Sequence, residues 1–256
     1  MRIVIKIGTS TLAHPTGHLN IRLVEHLCKV VSDIKNAGHD VILVSSGAIG
    51  MGVGMLGLLT RPKDIPTKQA AAAVGQCELM YTYDKLFSEY NHTVAQLLIT
   101  GADVENHTRH ENFRNTLSRL LELGALPIIN ENDTVATEEI VIGDNDTLAA
   151  IVAQSVYADL LVLLSDIDGL YTADPHKDPN ATLISYIPAI TDEILALGGG
   201  SASSQGTGGM ATKLRAAQIC MASGCAMVIT NGIRPDDLYD ILEGKSVGTR
   251  FAGGSV

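Results

Sequence analysis

The sequence predicts an α/β protein, a three-layer αβα sandwich in which helices cover both faces of a mostly parallel sheet. Short apolar runs without polar alternation recur along all 256 residues, and such runs are typical of strands buried on both faces. Segments with helical spacing of apolar side chains lie between these runs, and strands that alternate with helices form a parallel sheet. Hydrophobic residues make up 46% of the chain, which is enough for a large core.

Each element is predicted from its own pattern. The predicted strands are the apolar runs at residues 3–7, 41–44, 94–99, 126–129, 160–164 and 227–229, with a shorter candidate at 247–251. The first predicted helix covers residues 19–35, and Gly38 ends it. Further helices are predicted at residues 67–89, 111–123, 145–155, 210–223 and 235–242. We expect a single domain with a soft boundary near Tyr157, which divides it into two lobes, residues 1–156 and 157–256, on one continuous sheet.

The composition excludes several classes of function. Lys and Arg number 18 against 28 Asp and Glu, a net charge of −10 with neutral histidines, so we expect no nucleic-acid partner. No apolar run approaches the roughly 18 residues of a membrane span, and Lys6 comes too early for a secretory signal, so no membrane association is predicted. The four cysteines form no C-x-x-C pair and are expected to be reduced thiols in a cytoplasmic protein.

Small polar residues follow each of the six apolar runs. The carboxyl ends of parallel strands lie along one edge of a sheet, where ligands bind. The sequence therefore predicts one long crevice for a polar, phosphorylated ligand, although the same residue types also form ordinary turns. The segments concerned are residues 8–10, 45–47, 100–103, 130–133, 165–169 and 230–232.

One glycine pattern imitates a dinucleotide-binding site. Gly52, Gly54 and Gly57 match the fingerprint G-x-G-x-x-G. The preceding strand is predicted to end near Val44, so these glycines fall inside or after the next helix and not at the strand-to-helix turn that binds pyrophosphate. We therefore predict no dinucleotide site, and we identify no residues as protein ligands of a metal.

Two lysines occupy unfavourable positions. Lys6 lies in the apolar first run, where a buried ammonium needs an anionic partner unless it reaches solvent. Lys213 follows Gly208 and Gly209 in the first turn of a predicted helix, where the helix dipole disfavours a cation. A phosphate bound at that helix N-terminus would remove the penalty. The alternative is an exposed lysine that tolerates a small cost.

Two acidic clusters, residues 130–133 and 143–146, complete the set of candidate site residues. Asparagine both donates and accepts hydrogen bonds, which suits an amino-acid substrate, and aspartate can bind an ammonium group or align a lysine. Asp146 is also a favourable residue for the start of the following helix, which is its structural alternative.

Six motifs, in order along the chain, together resemble the glutamate 5-kinase family of the amino acid kinase superfamily. The first is shared by many carbonyl-phosphate kinases, and the later ones are more specific. They are KIGTS at residues 6–10, SSGAI at 45–49, IINEND at 128–133, GDND at 143–146, GLYTADP at 169–175 and GTGGMATK at 206–213.

The resemblance implies a role for individual residues. Lys6 and Lys213 would flank the transferred phosphoryl group, and Asp146 would orient both lysines. Residues 1–156 would form the glutamate-binding lobe and residues 157–256 the ATP-binding lobe. The residues implied to hold L-glutamate are Ser46, Asp133 and Asn145. Those implied to contact ATP are Lys6, Ser165, Asp166, Thr207, Gly208, Gly209, Met210, Ala211, Thr212 and Lys213.

The implied reaction is the phosphorylation of L-glutamate by ATP, with Mg²⁺, to L-glutamyl 5-phosphate, the first step of proline biosynthesis. A side-chain carboxylate with a pKa of about 4.3 is already an ionised nucleophile, so no general base is needed. The resemblance also implies a homo-oligomer, feedback inhibition by proline, and a short form without the C-terminal PUA domain of many members. Two alternatives stay open: a kinase for acetylglutamate, aspartate, carbamate or a nucleotide, and a non-catalytic amino-acid or nucleotide sensor.

Overall fold

The structure is a computed structural model that describes residues 1–14, 16, 18–136, 144–175, 177–199 and 209–253. Its strands are β1 (Arg2–Ile7), β2 (Asp40–Ser45), β3 (Val94–Ile99), β4 (Leu126–Glu131), β5 (Leu160–Ser165), β6 (Tyr186–Ile187), β7 (Ala226–Asn231) and β8 (Thr249–Phe251). Its helices are α1 (Thr9–Leu12), α2 (Ile21–Asn36), α3 (Ala48–Met55), α4 (Ile65–Ser88), α5 (Gly101–Glu105), α6 (His107–Glu122), α7 (Asn145–Ser155), α8 (Asp192–Leu197), α9 (Met210–Ala222) and α10 (Asp237–Leu242).

All the described strands belong to one sheet, in the order β3-β4-β2-β1-β5-β7-β8-β6. The first six of these strands run parallel, whereas β8 runs antiparallel to β7 and parallel to β6. The predicted mostly parallel sheet is therefore confirmed. Because β1 lies between β2 and β5, the end of β1 opens at the middle of the edge formed by the carboxyl ends, where ligands bind in such sheets.

Two apolar clusters form the core, one on each face of the sheet, and this confirms the three-layer architecture. Helices α6, α7 and α9 cover one face, and α2, α3, α4 and α10 cover the other. Successive side chains of a strand point to opposite faces. Val4 accordingly packs on the α7 side, while Ile3, Ile5 and Ile7 pack on the α2 side. Lys6 has the parity of Val4, so its side chain belongs to the face covered by α7 and α9.

The predicted boundaries differ from the observed ones by a few residues. Helix α7 begins and ends where the sequence predicts, and Gly38, with φ +93°, follows the end of α2. Helix α6 begins four residues earlier than predicted, because Asn106 caps it by accepting a hydrogen bond from the backbone N–H of Arg109. The pattern missed β6 and the short helices α1, α3, α5 and α8. No helix in the described ranges has the length and apolar content to cross a membrane.

The glycine fingerprint proves to be a helix contact, as the absence of a suitable strand end predicts. Gly52 lies in α3, and a Cβ atom at this position would stand 1.8 Å from the Ala71 carbonyl oxygen of α4. The contact is reciprocal, since a Cβ atom at Gly75 would stand 1.8 Å from the carbonyl oxygen of Ala48. Glycine here lets two helix backbones touch, and this contact holds together the two helices that flank the segment between α3 and α4.

Candidate active site

A cavity of about 540 Å³ opens at the carboxyl edge of the sheet. The exits of β1, β2, β4 and β5 line it, together with the first turns of α7 and α9. Its volume lies within the range of small-molecule sites. The predicted site residues that line it are Lys6, Ser46, Asp133, Asn145, Asp146, Ser165, Asp166 and Lys213.

The exits of β3 and β7 are not among the described residues lining this cavity, so a crevice shared by all six strand exits stays a prediction. After β3, the Asp103 carboxylate accepts a hydrogen bond from the backbone N–H of Thr100 at 2.8 Å, in a capping box of α5. After β7, Asn231 donates to Asp168 at 3.0 Å and Thr230 donates to Asp237 at 3.1 Å. For these two exits, ordinary turn and cap chemistry explains the polar residues.

Lys6 and Lys213 converge on a single carboxylate. The Nζ atom of Lys6 lies 2.8 Å from Oδ1 of Asp146, and the Nζ atom of Lys213 lies 3.1 Å from Oδ2. Lys6 is 7% exposed, Lys213 3% and Asp146 0%, so neither lysine extends into solvent. The alternatives of a solvent-reaching Lys6 and an exposed Lys213 are therefore wrong. The three groups together carry one net positive charge within a buried site.

Local structure brings each of these side chains to the edge. Lys6 is the penultimate residue of β1, and Asp146 lies in the first turn of α7. Asp144 caps that turn, because its Oδ1 atom accepts a hydrogen bond from the backbone N–H of Thr147 at 2.7 Å. Lys213 lies in the first turn of α9, whose N-cap Gly209 supplies no side-chain cap. Both helices therefore point their N-termini at the same edge, which favours an anionic ligand.

The ionisation of Asp146 follows from this arrangement. Burial raises the pKa of its carboxyl group, but the ammonium groups of Lys6 and Lys213 outweigh burial and hold the pKa below its ordinary value. The Thr212 hydroxyl also donates a hydrogen bond to Oδ2 at 3.1 Å. Asp146 is therefore an anion at neutral pH and holds both lysines in place.

A chain of amide side chains forms a second part of the cavity wall. Asn145 donates from Nδ2 to the Ser46 hydroxyl at 2.8 Å and to Oδ1 of Asn130 at 3.1 Å. Asn130 in turn donates to Oε1 of the buried Gln76 at 2.9 Å. These contacts join β2, β4, α7 and α4. Sequence reasoning missed Gln76, because nothing in the pattern of α4 separates it from an ordinary helix residue.

Asp133 and Arg61 bring a negative and a positive side chain to the same cavity. Asp133 is half-buried; burial raises the pKa of its carboxyl group, and the positive charge of Arg61 acts in the opposite direction. Arg61 lies between α3 and α4, is exposed, and lines the same cavity. Sequence reasoning missed Arg61 too, since an arginine in a connecting segment carries no local signal.

The residues predicted to contact ATP are described only in part. Ser165 and Asp166 lie at the exit of β5, where the Ser165 hydroxyl donates to the Asp166 carboxylate at 3.0 Å. Gly209, Met210, Ala211 and Thr212 form the N-cap and first turn of α9, beside the cavity lining and not in it. Thr207 and Gly208 lie outside the described residues. Within the described ranges, no group of three or more His, Cys, Asp or Glu side chains is placed to hold a metal ion.

Comparison with known proteins agrees with this architecture. The chain is 54% identical to the glutamate 5-kinase of Listeria welshimeri over 98% of the chain and 92% of the relative. It is 52% identical to the glutamate 5-kinase of Clostridium tetani over 97% and 93%. Among solved structures it resembles the carbamate kinase of Giardia lamblia bound to AMP-PNP, with a TM-score of 0.69 and 19% identity over 98% of each chain. It also resembles the UMP kinase of Ureaplasma parvum, with a TM-score of 0.66 and 18% identity over 98% of each chain.

The two structural similarities concern the fold alone, whereas the sequence relatives cover almost the whole of the chain and are glutamate 5-kinases by name. The amino acid kinase family model matches residues 1–231. The chain therefore belongs to the amino acid kinase family, and within it to the glutamate 5-kinases.

Proposed function

We propose that this protein transfers the γ-phosphoryl group of ATP to the side-chain carboxylate of L-glutamate, forming L-glutamyl 5-phosphate, the entry step of proline biosynthesis. The observation that carries the proposal is the pair of buried lysines held by Asp146 at the carboxyl edge of the sheet. Relatives more than 50% identical over nearly the whole chain are glutamate 5-kinases, which supports glutamate as the acceptor.

At the phosphoryl end, the chemistry is positioning and charge neutralisation. The attacking carboxylate of glutamate is ionised at neutral pH, so no side chain has to remove a proton. Lys6 and Lys213 would contact oxygen atoms of the transferred phosphoryl group and neutralise the charge spread over them. Asp146 fixes both ammonium groups before substrate arrives, so little reorganisation is needed when the reaction occurs.

At the amino-acid end, the cavity offers groups that match a free α-ammonium group. Asp133 is a carboxylate that lines the cavity, and it would accept the hydrogen bonds of the ammonium group. An acetylated amino group has no positive charge, so Asp133 would also discriminate against acetylglutamate. Ser46 and Asn145, which are joined by a 2.8 Å hydrogen bond, would bind the substrate beside it.

The residues present suit a Mg²⁺ ion that enters with ATP. Mg²⁺ is usually bound through one or two carboxylates together with substrate phosphates, and not by a cage of protein ligands. Among the carboxylates of the cavity, Asp146 is held by the lysines and Asp144 caps α7, whereas Asp166 is exposed at the end of β5. Asp166 would hold the ion, which would neutralise phosphate charge when bound.

The division of labour between the two lobes is part of the same proposal. Residues 1–156 contain Ser46, Asp133 and Asn145 and would bind glutamate. Residues 157–256 contain Ser165, Asp166 and the first turn of α9 and would bind ATP. Self-association and feedback inhibition by proline are proposed from the family resemblance alone, and a cytoplasmic location is proposed from the cysteine usage and the early Lys6.

The test is an assay of ADP release with ATP and Mg²⁺ and with four acceptors in turn: glutamate, acetylglutamate, aspartate and carbamate. We expect glutamate to give a kcat/KM at least tenfold above each of the others. The Lys213→Ala variant, prepared in the same way, controls for a contaminating kinase. A higher kcat/KM for another acceptor, or no ADP release with any of them, would refute the proposal.

A further inference from the structure

Glutamate carries three ionised groups, and the proposed function accounts for two of them. The side-chain carboxylate reacts beside Lys6 and Lys213, and the α-ammonium group faces Asp133. The α-carboxylate still needs a partner, because an anion transferred from water into a cavity without a partner costs binding energy. The partner has to lie close to Asp133, since the α-carboxylate and the α-ammonium group are attached to the same carbon atom.

Arg61 is the cation available in the same cavity. The Lys and Arg residues among the described residues lining the cavity are Lys6, Arg61 and Lys213. Both lysines are buried against Asp146. Arg61, in contrast, is exposed, and within the described ranges it lies within 4.0 Å of no carboxylate.

Arg61 and Asp133 lie close enough for their charges to interact. Both side chains line the same cavity. Burial raises the pKa of the Asp133 carboxyl group, and the positive charge of Arg61 offsets part of that rise. A guanidinium beside a carboxylate is the electrostatic complement of an α-amino acid head, which presents a carboxylate beside an ammonium group. Arginine can also bind a carboxylate through two parallel hydrogen bonds, which selects its geometry as well as its charge.

The segment that carries Arg61 is anchored at both ends. Gly52 of α3 is in backbone contact with α4, as described above. At the other end, Asp64 caps α4 by accepting a hydrogen bond from the backbone N–H of Thr67 at 2.9 Å. Gln69 of α4 donates to the carbonyl oxygen of Ala136 at 3.3 Å, which ties the helix to the segment that follows Asp133. The positions of the Arg61 and Asp133 backbones are therefore linked.

We propose that Arg61 is a specificity residue that binds the α-carboxylate of the amino-acid substrate, opposite the ammonium group held by Asp133. The inference rests on the proposed function and adds the group by which the site recognises an amino-acid head. It requires that the enzyme distinguish L-glutamate from its α-amide, which has the same ammonium group and side-chain carboxylate but an uncharged amide in place of the α-carboxylate.

The experiment compares glutamate and its α-amide as acceptors in wild type, Arg61→Leu, Arg61→Lys and Lys63→Ala. Lys63 is an exposed cation in the same segment, is not among the residues lining the cavity, and serves as the matched control. Loss of a hydrogen bond to a charged group lowers affinity by about 10- to 100-fold. We expect Arg61→Leu to raise the KM for glutamate by that factor, with the KM for ATP and kcat within about twofold.

The role of Arg61 is tested by the ratio of kcat/KM for glutamate to kcat/KM for the α-amide. Wild type and Lys63→Ala should prefer glutamate over the α-amide by about 10- to 100-fold, and Arg61→Leu should lose most of this preference while Arg61→Lys keeps part of it. An unchanged ratio in Arg61→Leu would overturn the inference, as would an equal loss of activity with both acceptors or a raised KM for ATP alone. A wild type that phosphorylates neither compound would instead refute the proposed function itself.

Discussion

Replacement of Asp146 by asparagine tests the central contact of the site. Asparagine has nearly the same shape, but it leaves the ammonium groups of Lys6 and Lys213 without the carboxylate that lies 2.8 Å and 3.1 Å away. Removal of one partner of a buried ion pair costs about 3–5 kcal/mol, out of the roughly 5–15 kcal/mol that stabilises a typical domain. Since both lysines adjoin the cavity and can shift towards it, we expect the loss for a single pair and not twice that value.

The effect of Asp146→Asn depends on pH in a defined direction. The pKa of Asp146 is lower in the folded protein than in the unfolded chain. Its contribution to stability is therefore fully present above the unfolded pKa, about 3.9, and is lost as the pH falls through the folded pKa. Asparagine resembles the protonated acid. The difference in stability between wild type and variant should be constant from about pH 5 to 8 and should narrow below about pH 4.

Urea unfolding followed by far-ultraviolet circular dichroism measures the difference, because the chain has no Trp for fluorescence. Asp40→Asn is the control: the Asp40 side chain is 44% exposed and pairs with Arg2 at 3.2 Å, so its loss should cost less than about 1 kcal/mol. The reasoning about Asp146 is refuted if Asp146→Asn costs no more than Asp40→Asn, or if the difference from wild type persists unchanged in acid.

Three further changes test the rest of the site and the fold. Lys213→Ala should lower kcat by about 10²–10³-fold, the scale for one preorganised electrostatic donor. A change within twofold in steady-state kinetics would refute a role for Lys213 at the transferred phosphoryl group. Gln76→Leu leaves the buried amide of Asn130 without its acceptor, so the KM for glutamate should rise by about tenfold while that for ATP stays within twofold; equal changes in both would contradict a role in the glutamate site. Gly52→Ala places a Cβ atom against a backbone carbonyl of α4 and should lower the free energy of unfolding, measured in urea, by at least about 2 kcal/mol. The control Gly50→Ala makes an ordinary 3.7 Å contact and should change that free energy by less than about 1 kcal/mol.

Lys6 and Lys213 could be identified from the residues alone because each contradicts its local environment. A lysine inside an apolar strand and a lysine in the first turn of a helix are each unfavourable when considered alone. Natural sequences keep such conflicts mainly at functional positions. The structure relieves both conflicts at once, because the carboxylate of Asp146 forms an ion pair with Lys6 and another with Lys213.

The parts that sequence reasoning missed obey every local rule. Gln76 is a favourable residue for a helix, and only its contact with Asn130 of β4 gives it a role. Arg61 lies in a connecting segment where any polar residue is acceptable. Helix α3 was missed because its glycines weaken the helix pattern, and one of them, Gly52, is required by the close approach of α4. Such roles depend on contacts between elements far apart in the chain.

Lys6 and Lys213 come together only because side chains alternate along β1 in a way that turns Lys6 to the correct face of the sheet. Lys6 shares its face of the sheet with Val4, and that face is covered by α7 and α9, which carry Asp146 and Lys213. Pairing of Lys6 with Val44 of β2 and Leu163 of β5 fixes this orientation on both sides. A shift by one residue would turn the Lys6 side chain towards the α2 side, where Ile3, Ile5 and Ile7 pack. The apolar residues of β1 therefore shape the candidate site, since burying the isoleucines on one face is what presents Lys6 to Asp146 on the other.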